Sequence, residues 1–202
     1  MTPQLDVVQS IVAIAIGLGL AAAAGFRVFV PLLVLGVAAR TGHLGLAPGF
    51  DWLSTSPALV ALGTATLAEV LAYYVPWLDH ALDLIATPAA VLAGVLASVS
   101  VLGDLPPALR WGVGVIGGGS AAGLVQGATV LARLKSAVTT AGVANPLVAT
   151  VELVGSLVTS LLSFVIPFLV LGAVAVFCIV IFAISHRVAF GRRRARDAAA
   201  TQ

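Results

Sequence analysis

From Val7 to Phe190 the chain is dominated by apolar positions, and short polar or helix-breaking stretches cut this run into about eight segments. They fall near 7–24, 26–40, 57–76, 79–102, 107–118, 120–135, 147–163 and 165–186. Several are shorter than the roughly 20 apolar residues that cross a bilayer's hydrocarbon. Segments 1 and 2 meet at "AAAAG", and segments 5 and 6 meet at "GGGSAAG". Small-residue breaks of this kind predict two short broken or re-entrant hairpins, each returning the chain to the side it came from. The expected fold class is all-α: a polytopic transmembrane helical bundle of about eight helical segments.

Composition agrees with this pattern. Of the 202 residues, 60% are hydrophobic and only 9% charged, where a soluble domain carries about a quarter charged. Such a chain cannot cover itself with a water-facing surface, so lipid must be its solvent. "MTPQLDVVQSIVAI" has no basic n-region and reads as the start of a retained helix. The single cysteine, Cys178 in "AVFCIVIF", excludes an intrachain disulfide and any multi-cysteine metal site. "GGGS" is no phosphate loop, because no Gly-Lys-Ser/Thr follows. His43, His80 and His186 stand at segment ends with no nucleophile motif nearby. No catalytic residue, metal or cofactor is therefore expected, and the chain is not read as an enzyme.

The basic residues suggest an orientation. Arg40, Arg110, Arg133, Lys135 and the run Arg187, Arg192, Arg193, Arg194 and Arg196 all fall on one face if even-numbered segments end there. The opposite turns, around "YYVPWLDHALD" and "LLSFVIPF", hold no Lys or Arg. The positive-inside rule makes the basic face cytoplasmic, giving a multi-pass protein of the cytoplasmic (inner) membrane with both termini inside. Tyr73, Tyr74 and Trp77 then suit the outer interface belt. Residues 1–188 form a single transmembrane domain, and 189–202 a basic, disordered cytoplasmic tail that anchors beside anionic lipid rather than binding nucleic acid.

A weak internal repeat is visible. "AAAGFRVFVPLLVLG" (22–36) lies over "SAAGLVQGATVLARL" (120–134), and "PALVALGTATLAEVL" (57–71) resembles "PLVATVELV" (146–154). Chance similarity between Ala/Leu/Val-rich segments gives the same picture. If the repeat is real, copies 7–102 and 107–186 are parallel, as among some transporters.

Arg27 does not fit the orientation map: it is a permanent charge inside "AAAAGFRVFVPLLVLG". Glu69 and Glu152 are likewise embedded in apolar runs. A charge at mid-bilayer costs between about 3 and more than 10 kcal/mol, so each must face a partner, a cavity or the bundle interior. Arg27 is expected to pair with Glu69, within the first copy. Gln126 stands near the equivalent place in the second copy, which leaves Glu152 without an arginine and able to carry a proton. The Arg27–Glu69 pair suits a substrate role, and it equally suits holding the helices together. A second cluster, Asp79, His80 and Asp83 in "PWLDHALDL", reads as a helix cap or as a cation or entry site on the outer face.

"GFRVFVPLL", "AEVLAYYVPWLDHALD" and "ANPLVATVE" together resemble a bacterial integral-membrane family catalogued as domain of unknown function 4126. The likeness runs from about Leu5 to about His186 and leaves the arginine tail outside. It implies a polytopic membrane protein of about this size and carries no activity. The expectation from the residues is a small transporter-like protein. It would bind or move a small solute, ion or lipid head group at a central polar site formed by Arg27, Glu69, Glu152 and Gln126. The alternative is a non-catalytic scaffold or subunit. Expected partners are membrane lipids, a small solute or anionic group, and a second copy or a membrane partner protein.

Overall fold

The computed structural model describes residues 7–74, 76–140, 143–177, 179–180 and 183, with the side chains of 76–84 outside the description. Among the described residues every regular element is helical. Seven helices follow one another: α1 (Val7–Phe26), α2 (Phe29–Arg40), α3 (Ser56–Ala72), α4 (Pro76–Val101), α5 (Pro107–Thr140), α6 (Asn145–Val165) and α7 (Pro167–Phe177). Three of them, α1, α5 and α6, are long and apolar enough to cross a membrane.

The first hairpin is present, but its break falls at Arg27–Val28 rather than at "AAAAG". Pro31 explains the position. A proline inside a helix offers no N–H to the carbonyl four residues back and collides with it, and here that carbonyl belongs to Arg27. At its far end α2 stops in a Schellman motif: the His43 N–H donates to the Ala38 carbonyl (3.0 Å) and the Gly42 N–H to that of Ala39 (3.1 Å). Gly42 supplies the required positive φ of 77°. Thr55 caps α3, its hydroxyl accepting from the Ala58 N–H.

The second expected hairpin does not form. "GGGSAAG" lies inside one unbroken helix, α5, whose residues Val113–Gly118 are wound as a π-helix. Glycine here serves packing rather than chain reversal. A Cβ on Gly118 would lie 2.8 Å from the Gly94 carbonyl oxygen and 2.7 Å from the Ser98 Cβ of α4. Among the described residues there are thus seven α-helices, where about eight segments were expected, four before residue 102 and three after it.

α1 is the hub, buried along Leu20–Gly25 against α4, α5 and α6. Neighbouring positions give the helix directions. Gly17 meets Ser98 and Val101, Leu18 meets Gly117, and Gly19 meets Ser163 and Val170. Further along α1, Gly25 meets Ala122 and Val125, the Ala23 carbonyl accepts from Ser156, and Phe26 meets Gly155 and Phe177. Thus α5 and α7 run parallel to α1, while α4 and α6 run against it. α2 returns towards the starting end, since Leu44–Leu46 line a cleft with Gln9, Ile16 and Val101. α3 then climbs again, with Leu59 near Gly36 and Glu69 beside Val28.

Two expectations fail on these directions. The paired segments 57–71 and 146–154 lie in α3 and α6, which run oppositely, so a parallel repeat does not carry through to the elements. Nor do the basic residues share one face. The stretch from Arg110 to Lys135 is continuous helix and spans about 37 Å at 1.5 Å per residue. The described chain starts at one end of the bundle, and α7 leads toward the other.

Candidate functional site

Four helices bring polar side chains together where α1 breaks. Arg27 comes from the break, Glu69 and Tyr73 from the end of α3, Arg133 from α5 and Glu152 from α6, while Gln126 is buried on the same face of α5 two turns before Arg133. All are buried, with Arg27 at 1% exposure and Arg133 at 4%. Arg133 and Glu152 each lie about two turns from the α5–α6 turn, so the cluster sits nearer that end than mid-bundle.

Glu152 is the hinge of the cluster. Arg133 grips it side-on: Nε donates to Oε1 at 2.9 Å, and Nη2 donates to Oε2. Arg27 approaches the same Oε2 at 3.5 Å and donates from Nη2 to the Ala149 carbonyl at 2.8 Å. The Tyr73 ring covers both cations, with guanidinium carbons 4.1 Å (Arg27) and 3.8 Å (Arg133) from its centroid. Next to it, Tyr74 and Thr150 share a hydroxyl hydrogen bond of 2.9 Å that ties α3 to α6.

Glu69 does something different. Its Oε1 accepts from the Val28 N–H at 2.9 Å and its Oε2 from the Phe29 N–H at 3.2 Å. The first N–H groups of a helix have no partner within it, and α2 has no side-chain cap of its own. A carboxylate from another helix supplies one, favourably placed at the positive end of the helix dipole.

The expected pairing is thus corrected. Arg27 meets Glu152, not Glu69, because the exposed N-terminus of α2 claims both Glu69 oxygens. Glu152, expected to lack an arginine, faces two. Arg133 is a member of the cluster rather than a topology charge, and Tyr73 is a buried lid over it rather than an interface residue. Arg133 was missed because Lys135 follows two positions later, which made the pair look like a helix-end charge group. The available signal was spacing: Arg133 follows Gln126 by two helical turns and so shares its face. The side chains of Asp79, His80 and Asp83, and Cys178 and the tail 189–202, lie outside the described residues.

Beside the cluster, a cleft of about 370 Å³ opens between α2, α3 and α4. Its walls are apolar apart from Glu69 and Tyr73. The family model for domain of unknown function 4126 matches residues 14–187. The chain belongs to this family. In this member of domain of unknown function 4126 the matched span contains every residue of the cluster and leaves 188–202 outside. No curated protein and no solved structure matches the chain.

Proposed function

We propose that this membrane protein is transporter-like. It would bind a small polar solute at the Arg27–Tyr73–Arg133–Glu152 cluster and move it across the cytoplasmic membrane. One observation carries this: two guanidinium groups converge on one carboxylate inside a bundle whose outer face is apolar. Burying ions is expensive, and a well-packed apolar set would hold helices together as well or better. Intramembrane ionisable groups mark substrate and ion pathways for that reason. The broken α1–α2 hairpin supports the reading, since interrupted helices bring backbone ends to the sites of transporters.

The same reading orients the bundle. α7 leads toward the end where Lys135 lies, and the arginine-rich sequence 187–196 follows it. Arg40 and Arg110 lie at the other end. The positive-inside rule then puts the cluster toward the cytoplasm and the Val7 end of α1 outside. The test is a pair of reporter fusions together with solute flux in proteoliposomes. A transporter loses flux in Glu152→Gln while still purifying as a folded protein. A scaffold shows no flux, and its variants fail only in capturing a partner protein.

A further inference from the structure

Within the cluster both carboxylates are already engaged. Glu69 is engaged by two backbone N–H groups and Glu152 by Arg133 in side-on fashion. Donors are in excess. Arg27 Nε and Nη1 have no protein acceptor, and neither has Gln126 Nε2. Both side chains are more than nine-tenths buried, at 1% and 2% exposure. Nη2 is taken by the Ala149 and Glu152 contacts and is common to both edges of the guanidinium, so Nε and Nη1 remain as separate N–H donors pointing in different directions.

Gln126 approaches the same region from α5. It follows Val125, whose side chain packs where a Cβ on Gly25 would stand, 2.6 Å away. Two positions after Gly25 the chain breaks at Arg27. A buried donor without an acceptor costs about 1–3 kcal/mol, and more when charged. A helical bundle in lipid has no solvent with which to settle this.

We infer that the cluster takes a small oxyanion, of the carboxylate or phosphate class, received by Arg27 and steadied by the Gln126 amide. This rests on the solute-binding reading above and gives it a ligand chemistry. A charged acceptor is favoured over a neutral carbonyl because two buried guanidinium groups share the one Glu152 carboxylate, and Coulomb attraction to an anion adds to the hydrogen bond in a low-dielectric interior. Arg133 stays with Glu152 and serves as a positioning residue: it holds that carboxylate through Nε at 2.9 Å, while Arg27 approaches it at the longer 3.5 Å.

The experiment measures thermal unfolding of the full chain in nanodiscs at fixed ionic strength. The titrants are sodium acetate, sodium phosphate, sodium chloride and neutral acetamide. The expected result is a saturable stabilisation by acetate or phosphate that acetamide and chloride do not reproduce. Gln126→Leu, which removes no ion-pair partner, should fold and weaken that apparent affinity by about tenfold, the value of one hydrogen bond to a charged group. Arg27→Lys should abolish it. Equal stabilisation by acetamide, no saturable shift, or an affinity unchanged in Gln126→Leu overturns the inference. Parallel flux of sodium, choline and neutral amino acids in proteoliposomes separates the two claims. Flux of one of these without an oxyanion effect sinks the oxyanion and leaves the transporter, whereas no flux and no stabilisation sinks both.

Discussion

Glu69 and Glu152 belong to one buried cluster, yet different chemistry holds them. Glu69 spends its two oxygens on the backbone of α2. Glu152 spends its two on guanidinium groups from α5 and from the α1 break. The first carboxylate completes a piece of secondary structure. The second joins three segments that, among the described residues, share no backbone–backbone hydrogen bond. Where a buried charge answers an orphaned helix end, it is accounted for by folding alone. Where it answers other charges, folding alone does not require it, because apolar side chains would serve. The case for function therefore rests on Glu152 and its arginines more than on Glu69.

The comparison can be broken by substitution. Glu152→Ala leaves two buried cations without their carboxylate and should cost about 3–5 kcal/mol, read as loss of folded protein in fluorescence-detected size exclusion. Replacing both Arg133 and Glu152 by Met and Leu removes one of the two stranded cations and should recover part of the lost folding but not flux, since Arg27 still lacks its carboxylate; restored flux would show the ions to be structural. Gly25→Val comes next, since its Cβ would sit 2.5 Å from the Ala122 carbonyl oxygen; parting α1 from α5 should cost about 1–3 kcal/mol in thermal unfolding. Glu69→Ala should cost about 1–2 kcal/mol, the range for a lost helix cap. A double-mutant cycle between Arg27 and Glu69 should show much weaker coupling than one between Arg133 and Glu152. Tyr73→Leu is the mildest, at about 1–2 kcal/mol for lost cation–π contact.

Much of the bundle was legible because lipid solvation demands long apolar helices; the expected segments beginning at 57 and 147 correspond to α3 and α6, which carry Pro57 and Pro146 in their first turns. The burial of Arg27, Glu69 and Glu152 was legible for the same reason: nothing else excuses charge in such a run. The partners were not. Pairing depends on which N–H groups a break leaves open, and the break was assigned to the alanine–glycine run although Pro31 held the better signal. The glycines of 117–119 misled in the opposite sense. They permit a close approach to Gly94 and Ser98, and a sequence does not show whether a glycine turns the chain or admits a neighbour.

The π-wound stretch Val113–Gly118 has a consequence for everything beyond it. A π turn takes up an extra residue relative to the α-helix. Deleting one residue there would let α5 relax to ordinary winding with all later side chains kept in phase, whereas deleting one residue from the α-wound stretch between Gly118 and Gln126 would swing them by about 100° around the axis. Arg133 would then leave the cluster and Gln126 would turn with it, while a deletion after Arg133 would leave both in place. The six π-wound residues thus hold one residue of slack, more than two turns before Gln126, that the rest of α5 can lose without turning its charges away.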